Sequence, residues 1–256
     1  MSRKSTKELV LNAWQAGTVV PAFNIPYLPM MRSVVRALRD TETFALIQVA
    51  RLEFFKFEAQ DLKTFRECYE DAKDERVTRL HLDHCPVIDE DDLRVDYKPF
   101  IAEAIELGYE SVMVDGSRLP LEENIAATRE VAEMAHRAGI PMEGELGAVL
   151  GHEAGPLPPY EELFESGKGF TDVDEARRFA EETGTDWLSV AVGNIHGAIS
   201  GAGKARKKVA ARLDLDHLAR LRDAVERPLV LHGGSGIRKS YIQESFRRGI
   251  AKINVG

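Results

Sequence analysis

The stretch SVMVDGSRLPLEENIAATREVAEMAHRAGIPMEGEL, residues 111–146, decides the fold. Ser111–Asp115 is a short apolar run ending in Asp-Gly, the mark of a buried strand followed by a turn. Leu121–Ala138 then repeats its apolar residues at helical period, and Gly139 stops the helix. Pro141–Leu146 returns to a strand, and strand–helix–strand alternation implies a parallel sheet. The same alternation runs outward in both directions. Further strands are read at Val19–Ile25, Phe44–Val49, Arg79–His84, Trp187–Gly193, Leu229–Leu231 and Lys252–Val255. Between them lie amphipathic segments such as Pro99–Leu107, Asp172–Thr183 and Leu215–Val225. Eight strands in this pattern predict an α/β fold, a (β/α)8 TIM barrel over residues 1–256 as a single catalytic domain.

The chain stops at Gly256, directly after the eighth strand. The last helix of such a barrel is therefore expected to be missing from the sequence. The outer apolar face of strands seven, eight and one is expected to be bare, with a partner as the other reading of what covers it.

An active site in this architecture lies at the carboxyl ends of the strands. The residues at the eight exits are Asn24, Gln48, Asp83 with His84, Asp115, Glu145, His196, His232 with Ser235, and Asn254. Every one is polar and able to bind a metal or a sugar hydroxyl. Three exits carry imidazoles, His84, His196 and His232, each from a separate strand. Imidazole suits zinc, and three protein ligands leave one coordination position open for substrate. Asp115 and Glu145 offer a second, looser metal position, partners that orient the histidines, or caps of the following segments. Asp83 would stand beside the metal without necessarily binding it. His81 leads the third strand and shares parity with Asp83, while His84 faces the other way at the exit. His136 and His217 lie in helical segments and are read as surface or structural.

Small residues at Gly233-Gly234-Ser235-Gly236 let backbone N–H groups close on an anion after strand seven. The net charge of −8 argues against nucleic acid, whose phosphates demand a basic face. Only residues 204–212, KARKKVAAR, are notably basic, and they read as a solvated loop or a phosphate-facing segment. No run of about 18 apolar residues suggests a membrane span. Two cysteines, Cys68 and Cys85, and an N-terminus without a signal-like apolar core fit a cytoplasmic protein. Ser5 with Glu8 is read as a capping box opening a short helix.

With these residues assembled, the chain resembles class II, metal-dependent ketose-bisphosphate aldolases of the fructose/tagatose-bisphosphate type. The resemblance is carried by Ala22-Phe23-Asn24, His81-Leu82-Asp83-His84, residues 108–117 (GYESVMVDGS) and Glu122-Glu123-Asn124. It continues through residues 143–147 (EGELG), His196-Gly197, residues 232–236 (HGGSG) and residues 252–256 (KINVG). It implies reversible aldol cleavage of a phosphorylated ketose to dihydroxyacetone phosphate and an aldehyde through a zinc-stabilised enediolate. His84, His196 and His232 would hold the zinc. Glu145 and Asp115 would serve an alternative or second position, for a divalent or a monovalent cation. Asp83 would protonate the aldehyde oxygen in condensation, and Asn254 would help hold the enediolate. Asn24, Gly197, Gly233 and Ser235 would bind the substrate or its phosphate, Gly197 and Ser235 the phosphate of the dihydroxyacetone-phosphate half. Glu153, on a loop after strand five, would move the C3 proton. A homo-oligomer, dimer or tetramer, is expected by the same resemblance.

The chain also departs from the family pattern. Ile199 and Ser200 stand where an aromatic and a phosphate-binding lysine are usual, with Lys204, Lys207 and Lys208 as substitutes from the longer basic loop. Ala50-Arg51 stands where a serine is frequent after Gln48, and the family's segment past Asn254 is absent. Two other readings remain: a metal-dependent sugar-phosphate epimerase or isomerase, and a noncatalytic partner subunit of an aldolase.

Overall fold

The computed structural model describes residues 3–147, 149, 159–194, 211–234 and 236–256. Eight parallel strands close a barrel in chain order: β1 (Val20–Asn24), β2 (Ala45–Ala50), β3 (Thr78–Asp83), β4 (Val112–Val114), β5 (Met142–Leu146), β6 (Trp187–Val190), β7 (Leu229–Leu231) and β8 (Ile250–Val255). The ring closes where β1 pairs with β8, Ala22 opposite Asn254. β2, β3, β5, β6 and β7 are buried along their whole length, because helices cover the outside and packed side chains fill the inside.

The expected elements are present, with shifted ends. β6 stops at Val190, three residues short of the apolar run that predicts it. The amides of Ala191 and Val192 leave the ladder for side chains, donating to Thr171 Oγ1 at 2.9 Å and Asn194 Oδ1 at 2.8 Å. β3 ends at Asp83, so His84 lies just past the strand, where alternation no longer governs its direction.

α1 (Thr6–Gln15) opens with the expected capping box. The Glu8 amide donates to Ser5 Oγ at 3.2 Å and the Ser5 amide to Glu8 Oε2 at 2.8 Å. Val10 and Ala13 of α1 pack with Val20, Ala22, Leu46, Trp187, Val230 and Ala251. These residues lie at the beginnings of their strands, so α1 seals the amino-terminal end of the barrel. α6 (Leu121–Arg137), in the 111–146 stretch, buries Ile125, Val131 and Ala135 and carries Glu122 and Glu123 in its first turn. These acids complement the positive end of the helix dipole.

On the outer face of β1 and β8, Pro21, Phe23 and Ile253 are only half-buried, and Val255 is exposed. No helix among the described residues is long and apolar enough to cross a membrane.

Candidate metal centre

With α1 sealing the barrel's other end, the polar residues of the strand exits gather at the carboxyl ends of the strands. The inward positions of β5 are Glu143 and Glu145, two residues apart, because alternate residues of a strand share a face. His232 follows β7 directly and is fully buried. Its Nε2 lies 2.8 Å from Glu143 Oε1. A carboxylate accepts and cannot donate, so Nε2 carries the proton and Nδ1 presents its lone pair. That Nδ1 has no hydrogen-bond partner, and it lies 3.4 Å from Glu145 Oε2, which has none either.

His84 completes this corner. Its ring centroid is 4.4 Å from that of His232, and its Nδ1 lies 3.4 Å from Asp115 Oδ2 and 3.8 Å from Glu145 Oε2. Among the described residues, two overlapping sets are placed so that each could hold one cation: Asp83, His84 and His232, and His84, Asp115 and Glu145. Imidazole nitrogens beside carboxylate oxygens are a donor set that fits a divalent ion of the zinc type.

The charge balance agrees. Burial disfavours a charged His84, but Asp83, Asp115 and Glu145 outweigh it and raise the ring to about 10. Burial, together with Asp115, pushes the Glu145 carboxyl well above its ordinary range. The pocket therefore favours positive charge at its centre, which a metal ion would supply. Burial opposes ionisation of Asp83, yet His84, Lys252 and His232 hold it far below the usual carboxylate range. Burial likewise opposes the charge on Glu143, and Lys252 with His232 brings it down to about 2.

Asp83 is gripped from β8 and β1. Asn254 Nδ2 donates to its Oδ1 at 3.0 Å, and Asn24 Nδ2 donates to its Oδ2 at 3.1 Å. Gln48 Nε2 in turn donates to Asn24 Oδ1 at 2.7 Å. Asp115 is fixed by Ser117, whose amide and hydroxyl donate to Oδ1 at 2.9 and 2.6 Å. Gly233 takes φ +62°, turning the chain immediately after His232.

Thus the structure brings together Asn24, Asp83, His84, Asp115, Glu145, His232 and Asn254. His196, Gly197, Glu153 and Ser235, with Lys204, Lys207 and Lys208, lie outside the described residues. His136 and His217 sit elsewhere, on Asp186 Oδ2 at 2.8 Å and the Thr171 carbonyl at 2.7 Å.

Three participants escape the sequence reading. Glu143 accepts from His232, from Trp187 Nε1 at 2.8 Å and from Lys252 Nζ at 2.9 Å. Lys252, fully buried, also donates to Asn254 Oδ1 at 2.8 Å. Both were findable by parity, each standing two residues before a recognised exit residue. Glu53, in α3 (Arg51–Lys56), is the third. Its Oε2 accepts from the Ala50 amide at 2.7 Å and from Asn24 Nδ2 at 3.2 Å.

A family model described as fructose-bisphosphate aldolase class-II matches residues 4–256. Solved structures share the architecture. The X-ray structure of the YdjI aldolase from Escherichia coli K12 is 28% identical with a TM-score of 0.73, covering 99% of this chain and 80% of that one. A putative fructose-1,6-biphosphate aldolase from Coccidioides immitis is 27% identical with a TM-score of 0.73, covering 98% of this chain and 80% of its own. Fructose-bisphosphate aldolase from Campylobacter jejuni has a TM-score of 0.73 at 21% identity, over 98% of this chain and 76% of its own, a likeness of fold.

Proposed function

The chain belongs to the class II fructose-bisphosphate aldolase family, and from that premise we propose that it is a zinc-dependent aldolase that cleaves a phosphorylated ketose reversibly to dihydroxyacetone phosphate and an aldehyde. The observation that carries this reading is the buried, unpartnered pair Glu145 Oε2 and His232 Nδ1, 3.4 Å apart beside His84. His84 and His232, joined by His196, would hold the metal, with Glu145 and Asp115 as the alternative position. Zinc, when bound, supplies Lewis-acid polarisation of the ketose oxygens.

The protein groups supply the rest. In cleavage, Asp83 takes the C4 hydroxyl proton as the C3–C4 bond breaks, the bonding pair staying on C3 and the C4–O bond becoming the aldehyde carbonyl. In condensation the same proton returns to the aldehyde oxygen. Asp83 must be ionised to accept that proton, and Lys252 at 3.8 Å favours the ionised form. Asn254 and Asn24 hold both carboxylate oxygens in place, which keeps Asp83 aimed. Glu153 would exchange the C3 proton with the released triose. Gly197, Gly233 and Ser235 would take the triose phosphate.

The test is triose release across a panel of ketose mono- and bisphosphates. Cleavage is expected to vanish in EDTA and to return with zinc or cobalt. Cleavage that survives complete metal removal, or a rearranged sugar without triose, contradicts the proposal.

A further inference from the structure

Glu53 is a second carboxylate on the wall of the site, and the aldolase reading gives it no task. It lies three residues beyond β2, is half-buried, and shares the Asn24 amide nitrogen with Asp83 at 3.2 and 3.1 Å. Among the described residues both hydrogen bonds to Glu53 fall on Oε2, leaving Oε1 unengaged by them.

Its position in the barrel says which part of a substrate it meets. Under the aldolase reading the triose phosphate is anchored past β6 and β7, and Asp83 on β3 handles the oxygen on C4. Carbons beyond C4 then run along the wall formed by the exits of β1 and β2, where Asn24 and Glu53 stand. Among the described residues, the cations of α3 and of the chain between β3 and α5 (Tyr97–Glu106) each stand beside a carboxylate. Arg51 lies 3.9 Å from Asp89, Lys56 lies 3.0 Å from Glu90, and Arg94 lies 4.0 Å from Glu123. Asn24, the neutral donor on this wall, already spends its amide nitrogen on the two carboxylates.

We propose that Glu53 is a specificity-determining residue that rejects an anionic aldehyde half and accepts the hydroxyls of a neutral one, so that the substrate is a ketose 1-phosphate with an unphosphorylated far end. The inference rests on the aldolase reading of the site. Burial raises the Glu53 carboxyl to about 7, so it is a carboxylate above that value, and the condensation assays are run there. In that form it excludes a phosphate by like-charge repulsion in a partly buried setting, while its free oxygen accepts from sugar hydroxyls. The contact with the Ala50 amide also helps cap α3, so a purely structural role for Glu53 is the competing account.

The two accounts separate in condensation assays with the zinc-loaded chain, dihydroxyacetone phosphate and either D-glyceraldehyde or D-glyceraldehyde 3-phosphate. For the unsubstituted chain, kcat/KM is expected to favour the neutral aldehyde by about tenfold or more, the scale of one like-charge contact. Glu53→Gln should shrink that preference by about tenfold, chiefly through KM for the phosphorylated aldehyde, since it removes the charge and keeps the shape. Glu53→Asp, which keeps the charge, should retain the preference. A phosphorylated aldehyde favoured by the unsubstituted chain overturns the inference, and so does a ratio that Glu53→Gln leaves unchanged or that Glu53→Asp alters as much as Glu53→Gln. Should Glu53→Gln fail to fold, the unsubstituted chain and Glu53→Asp still decide. Condensation with neither aldehyde overturns the inference, and absence of triose release from the whole panel of ketose phosphates overturns the aldolase reading with it.

Discussion

Glu143 does for His232 what no ligand can do for itself: it fixes which ring nitrogen carries the proton. Replacing it with glutamine frees the ring to present Nε2–H or Nδ1–H, and the amide also loses its charge-assisted hold on Lys252. Glu143→Gln is expected to weaken zinc binding by about 10–100-fold, read by competition with a chelating dye. His81 offers a test of another kind. Burial, reinforced by Lys252, lowers its pKa from 6.5 to about 3, and its Nδ1 is tied to Ser111 Oγ at 2.9 Å. Between those two values the unfolded chain binds a proton that the folded chain refuses, so stability falls as pH drops through this window. The loss is up to roughly 1.4 kcal/mol per pH unit. His81→Gln should flatten the fall of Tm between pH 6.5 and pH 4, and an unchanged slope contradicts the assignment. His81 and Asp83 share a face as strand parity requires. His84 reaches the same site only because β3 has already ended, a detail that alternation alone cannot supply.

At the scale of elements, each strand exit is a short device that turns the chain without burying an unmet polar group. The exit of β5 shows the constraint. Gly147 takes φ +92°, and a Cβ there would overlap Thr171 Oγ1, displacing the hydroxyl that donates to the Leu146 carbonyl at 2.6 Å. Gly147→Ala should therefore cost about 1–3 kcal/mol from the backbone conformation alone, seen as a lowered urea midpoint. A midpoint within error of the parent would show that the loop relaxes freely. The strands themselves were legible because a parallel barrel buries them on both faces and writes them as apolar runs. Their polar ends were legible because chemistry lives there. Lys252 bonding Glu143, and Glu143 bonding His232, were not legible as contacts. They join β8, β5 and β7, and only barrel closure brings such distant segments together. Glu53 escaped for a different reason: it sits on a helix one turn past β2, where no exit rule looks.

Over the whole molecule, an apolar plug beneath α1 and a ring of charge at the opposite end divide the work. The lower layer, Leu46, Trp187 and Val230 among others, carries packing, and the upper layer concentrates carboxylates and imidazoles that burial makes costly until a cation joins them. Metal binding should therefore act as a global stabiliser, since the folded chain alone assembles the donors, adding about 2.7 kcal/mol at a hundredfold excess over Kd. The most direct measurement is zinc content after loading the metal-free chain, desalting it and counting metal per protein. The account predicts one tightly held zinc per chain, with the ion lost in His84→Ala and in His232→Ala while both variants keep the barrel's circular dichroism. A folded parent chain that retains no zinc, or variants that retain as much as the parent, would contradict it.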